Sequence, residues 1–274
     1  MKKVLLAFDG EHFSQDSVEF VRQMNLYQPV LAVGVFLPAV EYAELLYSFS
    51  GVPSGPLLVS EVVPGNEAVI QKNIALFKTA CAQAGITSHI HREPLGNIAD
   101  LLHEETRFAD LLVLSGKSFY EDTGEVTRED YIENVLHRAG CPVVLVPEAY
   151  KEPQNIILTY DGGDQSAYAA RQFSYLFPCY KDLPALLVHF AEKGKNLPVR
   201  PEALELLKCH YKHLTTTTVA VNDEKDIEEW ILANKDPMVV AGAYGRRMLS
   251  QLFKKSFITD IVRSHRMPIF VAHR

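Results

Sequence analysis

The sequence predicts an α/β protein of two tandem doubly wound domains, each with a five-stranded parallel sheet flanked by helices. Three observations carry this. An apolar run ending in Asp-Gly occurs twice: Lys2-Lys3-Val4-Leu5-Leu6-Ala7-Phe8-Asp9-Gly10, then Asn155-Ile156-Ile157-Leu158-Thr159-Tyr160-Asp161-Gly162-Gly163. The two copies also end alike, on Cys141-Pro142-Val143-Val144-Leu145-Val146 and Met267-Pro268-Ile269-Phe270-Val271-Ala272. Pro fits the entrance of a strand, where an N–H donor can be spared. Between these ends, short apolar runs alternate with segments of helical spacing, the pattern of a parallel sheet covered on both faces.

A half-chain repeat implies two like domains, 1–147 and 154–274. Asp9 and Asp161 lie 152 residues apart, but Pro142 and Pro268 only 126, so the first copy is longer by about 26 residues. The excess falls within 36–68. Pro38, Gly51, Pro53, Gly55, Pro56, Pro64 and Gly65 break that stretch around Tyr42, Leu45, Leu46, Tyr47 and Phe49. It reads either as a loop with one short helix covering its own domain or as a flap or partner surface.

In the first copy, strands are expected at 4–8, 30–36, 86–91, 109–114 and 143–146. Phe13, Val18, Phe20, Val21 and Met24 give 13–24 a rough helical face. A helix over 68–84 ends at Gly85. Ile98, Leu101, Leu102 and Glu105 mark one face and border of a helix over 98–106, and 128–138 is a further helix. In the second copy, strands are expected at 156–160, 185–190, 215–219, 238–241 and 269–272. The run Thr215-Thr216-Thr217-Thr218 favours strand because every side chain is β-branched. Helices fall near 167–176, 203–210, 226–233 and 252–264. Right-handed crossovers then place the ligand region beyond the carboxyl ends of the strands, where strand order reverses.

The 274 residues are 47% hydrophobic and 22% charged, ordinary globular material for two domains. Lys and Arg number 27 against 34 Asp and Glu, a net charge of −7. That argues against a large nucleic-acid surface but not against a small anion site. Asp9 ends the opening apolar run too early for a secretory signal, and no apolar stretch approaches membrane-spanning length. Cys81, Cys141, Cys179 and Cys209 stand apart, so small buried groups in a reducing cytoplasm are expected, without disulfides or a cysteine zinc site.

The chemistry-bearing stretch follows strand 238–241. Gly242-Ala243-Tyr244-Gly245 leads through Arg246 and Arg247 to Lys254-Lys255-Ser256 at a helix start. Glycines admit an anion to the backbone, free N–H groups of a helix start bind phosphate, and Ser256 adds a hydroxyl. The competing reading is a tight surface turn with a basic rim. The stretch is neither the dinucleotide fingerprint nor a Walker motif.

On these residues the chain resembles tandem universal stress proteins, over nearly all of both halves except 36–68. Nucleotide-binding members of that family carry Asp at the end of the first strand. They also carry Gly, two residues, Gly, nine residues, then Gly-Ser or Gly-Thr. Asp161, Gly242, Gly245 and Ser256 match, and Lys255 stands where the family has its last Gly. The resemblance implies that Thr159, Tyr160 and Asp161 contact adenine and ribose, and that Phe190 lines the adenine pocket. It implies that Gly242, Gly245, Lys255 and Ser256 hold the phosphates of an ATP-like ligand, with Mg²⁺. Lys255 either supplies charge or obstructs the close approach that Gly allows.

The first copy has Ser115-Gly116-Lys117-Ser118-Phe119 after its fourth strand. Phe119 takes the second Gly position, and Glu129-Asp130 fall where Gly-Ser belongs. That half is expected not to bind ATP in the family manner, because carboxylates repel phosphate. The family's dimerisation habit implies that the final strands 143–146 and 269–272 pair, making an internal pseudo-dimer, with a homo-oligomer as a further expectation.

The expected function is therefore a cytoplasmic stress-response protein whose second domain binds an adenine nucleotide and acts by binding or conformational change. The alternatives are a partner-recruitment module without nucleotide and a slow nucleotide or phosphate-ester hydrolase. No catalytic base and no metal-ligand set is read from the sequence. His89 and His91 share a strand face and read as a solvent-facing or strand-end pair. His189, near a strand end, either lines the cleft or is a polar strand-end side chain. Ser166 reads as a helix cap, since no Gly-x-Ser-x-Gly elbow surrounds it. Trp230, Ile227 and Ile231 read as a packing face.

Overall fold

The computed structural model describes residues 1–9, 12–37, 66–91, 98–115, 135–136, 138–192, 199–222, 224–242 and 267–272. By its contacts the chain divides into two units, Met1–Gly140 and Cys141–Arg274.

The first unit contains β1 (Lys2–Asp9), β2 (Val30–Leu37), β3 (Thr87–His91) and β4 (Leu111–Ser115) in the order β3-β2-β1-β4, all paired in parallel. Helix α1 (Gln15–Tyr27) buries Val18, Phe20, Val21 and Met24. It starts later than the sequence pattern suggests, because Ser14 is its N-cap and accepts from the Ser17 N–H at 3.2 Å. Helix α2 (Asn66–Gln83) buries Ile70, Ile74, Phe77 and Cys81 at helical spacing. Gly85 ends it at φ +65°, with Ile86 N–H donating to Cys81 O and Gly85 N–H to Ala82 O. Those two bonds form a Schellman motif, and the positive φ is why Gly stands there. Helix α3 (Ile98–Thr106) follows β3. The rings of Phe8, Phe36 and Phe77 meet with centroids 5.1–6.0 Å apart. A Cβ at Gly34 would come within 2.9 Å of Phe36 and Phe77 ring atoms, so this cluster requires the glycine.

The second unit contains β5 (Val143–Val146), β6 (Asn155–Thr159), β7 (Pro184–Glu192), β8 (His213–Val221), β9 (Pro237–Gly242) and β10 (Ile269–Ala272). Their order is β5-β10-β9-β6-β7-β8, so β8-β7-β6-β9 repeats the order β3-β2-β1-β4. All pairs are parallel except β5 with β10, where Val144 faces Phe270. The expected pairing of the two final strands is thus present. Prolines also open β7 and β9.

Helix α4 (Asp164–Leu176) follows β6, and a 3₁₀ turn at Pro178–Tyr180 follows it. Helices α5 (Pro201–Lys208) and α6 (Glu224–Leu232) precede β8 and β9. The pleat separates the helices. Phe270, Val240, Leu158 and Leu187 share one face through their register, and Phe173 of α4 meets Phe270 there at 5.3 Å. Phe190 leaves the opposite face and meets Trp230 of α6 at 5.6 Å. Helices therefore cover both faces, as a doubly wound sheet requires. The helices read at 128–138 and 252–264 lie largely or wholly outside the described residues, as does 38–65.

Among the described residues no helix is long and apolar enough to cross a membrane, and no group of three metal-binding side chains occurs. His91 Nδ1 lies 3.0 Å from both carboxylate oxygens of Glu105.

The cysteines depart from expectation at one position: Cys209 is exposed, while Cys81 and Cys141 are buried and Cys179 is half-buried. Burial pushes the Cys81 thiol up to about 11 and the Cys179 thiol up to about 12. A thiol reagent at neutral pH should therefore titrate Cys209 rapidly in the native protein and the other three only on unfolding. The rapid phase should vanish in Cys209→Ser.

Phe173 anchors the second core, stacked on Phe177 at 4.8 Å and edge-on to Phe270. Phe173→Ala should cost about 3–5 kcal/mol, read as a lower midpoint in urea unfolding.

Candidate functional site

Strand order reverses at β6, whose neighbours are β7 on one side and β9 on the other. The crevice beyond β6 and β9 is the expected ligand position of such a sheet. Thr159, Tyr160 and Asp161 lie at the end of β6, and Gly242 at the end of β9. Phe190 lies near the end of β7. Gly245, Lys255 and Ser256 lie outside the described residues, as do Gly116, Phe119 and Glu129 of the first copy.

Each side chain at the β6 end is held. Thr159 is buried and its hydroxyl donates to Val240 O on β9 at 3.1 Å. Tyr160 continues the ladder, its N–H donating to Val188 O at 2.9 Å. Burial pushes the Tyr160 phenol above its ordinary value. The Arg200 guanidinium opposes this and the Asp161 carboxylate adds to it. Arg200 is the N-cap of α5, and Glu202 in the first turn of that helix adds a further carboxylate acting on the Tyr160 phenol.

Asp161 organises the turn into α4. Its Oδ1 accepts from the Gly163 N–H at 2.8 Å and the Ser166 hydroxyl at 2.7 Å. Gly162 sits at φ +80°, where only Gly is relaxed. Gly163 is the N-cap, so Ser166 is not; it lies in the first turn, 3.0 Å from Gly163 O, and ties the helix start to Asp161. Both of these bonds use Oδ1, so Oδ2 is the oxygen with acceptor capacity for a ligand hydroxyl.

His189 is 3% exposed and its Nδ1 lies 2.9 Å from Tyr160 O. A carbonyl only accepts, so Nδ1 carries a proton. No described group partners Nε2. The pleat puts His189 and Phe190 on opposite faces, so His189 fixes the Tyr160 backbone from beneath.

Gly242 has a specific steric reason. A Cβ there would lie 2.4 Å from Gln165 C and 2.6 Å from Gln165 O and Ser166 N. The first turn of α4 therefore rests directly on the end of β9. The role of glycines as an opening for an anion is not needed to explain this one.

Arg200 is not legible in the sequence as a site residue. It lies about 40 residues from Tyr160 along the chain, and no motif marks it.

Gly242→Ala should displace the first turn of α4 and cost about 1–3 kcal/mol in unfolding free energy. The backbone atoms it would strike have no rotamer to yield. A neutral effect would mean that α4 is not seated on β9.

No family model and no curated protein matches the chain. Solved structures do. A universal stress protein from Archaeoglobus fulgidus DSM 4304 is 13% identical with a TM-score of 0.67, over 100% of this chain and 96% of that one. A candidate universal stress protein from Pseudomonas aeruginosa UCBPP-PA14 is 9% identical with a TM-score of 0.57, over 100% and 93%. A functionally unknown protein from Pseudomonas aeruginosa PAO1 is 9% identical with a TM-score of 0.54, over 100% and 92%. With its repeated strand order and the antiparallel pairing of β5 with β10, the chain has the universal stress protein fold along its whole length.

Proposed function

We propose that the second unit binds an adenine nucleotide of the ATP type beyond the ends of β6 and β9, and that the protein serves a stress response through binding or conformational change. The observation that carries this reading is the reversal of strand order at β6, with Asp161 just beyond that strand. Oδ2 of Asp161 suits a ribose hydroxyl, because a carboxylate only accepts. Arg200 supplies positive charge beside Tyr160. The phosphates would be held by Gly245, Lys255 and Ser256, with Mg²⁺ as their usual companion. No described residue is placed as a base for hydrolysis.

A second reading has its own support. Thr159, Phe190 and Gly242 each have a partner or packing reason within the protein: Val240 O, the Trp230 ring and the α4 first turn. A unit so satisfied can serve as a partner-recruitment module that needs no nucleotide.

Calorimetric titration with ATP and Mg²⁺ separates the two. The nucleotide reading expects one saturable site per chain. Two equal sites, or none, would count against it. Lys255→Ala should weaken binding, more at low salt than at high, because screening is least there. Equal or tighter binding would show that Lys255 obstructs the site or faces away from it.

A further inference from the structure

Among the described residues, the outer strand of the second unit shows none of the devices that usually protect an edge. Natural edges are kept short, or carry Lys, Pro, bulges or inward charges, because unpaired N–H and C=O groups recruit other strands. β8 is nine residues long and pairs with β7 at all nine positions without a bulge. From Leu214 to Val221 it holds no charge and no proline. Its centre is four consecutive threonines, and Thr215, Thr216, Thr218 and Ala220 are exposed. Such β-branched residues favour strand pairing. No described strand lies on its outer side. The corresponding edge of the first unit, β3, is five residues long and carries His89 and His91.

The charges around β8 select the occupant. Lys208, His210, Lys212 and His213 precede its uncharged stretch, Lys212 with its Nζ 2.5 Å from Asp182 Oδ1, whereas Asp223, Glu224, Asp226, Glu228 and Glu229 follow it against Lys225 alone. Asp226 is held at the strand's end, where it accepts from the Asn222 N–H at 2.6 Å. In an antiparallel pair of two such strands, the basic start of each meets the acidic end of the other. A parallel pair would set like charge against like.

We infer that β8 is a self-association edge, pairing antiparallel with β8 of a second copy of this chain about a two-fold axis at Thr217. Full overlap of the nine residues fixes that centre, so Thr216 of one copy faces Thr218 of the other. An isologous contact of this kind closes as a dimer and does not propagate. It joins two sheets edge to edge through main-chain hydrogen bonds.

Sedimentation velocity over a concentration series tests this. The wild type should show a reversible dimer that tightens at low ionic strength. Thr216→Lys with Thr218→Lys sets lysine against lysine across the axis, and should raise the dimer Kd by about tenfold or more. Thr216→Lys with Thr218→Glu sets lysine against glutamate at the same two places and should restore the dimer. Thermal melts show whether each variant is folded, and both variants carry Thr216→Lys, so only the charge at the second position differs between them. A wild type that stays monomeric would leave the edge to a foreign strand and overturn the proposal. A dimer unaffected by the double lysine, or one lost equally in both variants, would overturn it too.

Discussion

The constraint on which the second unit turns is the absence of a side chain at residue 242. The first turn of α4 lies so close to the end of β9 that a Cβ there would overlap the Gln165 and Ser166 backbone. That approach sets the height of α4 above the sheet. It also brings Ser166 to Asp161, and so fixes the carboxylate that ends β6. The same helix carries Phe173 down onto Phe270, tying the turn geometry to the aromatic core. One missing methyl thus links helix placement and the carboxylate.

The arrangement divides the work of Asp161 between its two oxygens. Oδ1 is spent on the turn, through Gly163 and Ser166, and neither of those bonds uses Oδ2. A strand-end carboxylate anchored this way keeps its position without a ligand. His189 does the equivalent for Tyr160, holding its carbonyl from the face covered by α4. The crevice is therefore built by protein contacts first, which suits a rigid binding site and a purely structural turn equally well. The charges around the Tyr160 phenol are mixed, the Arg200 guanidinium standing against the Asp161 and Glu202 carboxylates.

Much of the fold is legible in the sequence because buried parallel strands are continuous apolar runs and the chain repeats them. β4, β5 and β10 announce themselves in this way. Strand ends are less visible. β8 extends past 215–219 because its ends at His213 and Ala220 pair through the backbone while exposed, and the burial of Val221 depends on tertiary packing. Helix α4 starts at Asp164, earlier than 167, because its cap is made by Gly163 and by the Asp161 turn and not by a Ser or Thr at the N-cap. The 3₁₀ turn at Pro178–Tyr180 carries little sequence signature beyond its proline. At the site, the Asp-Gly ending of β6 points to Asp161, but Arg200 and the burial of His189 depend on tertiary approach. The contact of Phe190 with Trp230 joins two residues that look separate in the sequence, one a pocket wall and the other a packing face.

The most direct measurement is an ¹H–¹⁵N correlation spectrum of the full chain titrated with ATP and Mg²⁺. Binding in the crevice should shift the amides of Asp161, Gly162, Gly163 and Gly242 together with one saturation curve, while Asp9, the matching residue of the first copy, stays unmoved. Shifts that cluster around Asp9 instead, or a spectrum that does not change, would contradict the assignment of the nucleotide to the ends of β6 and β9.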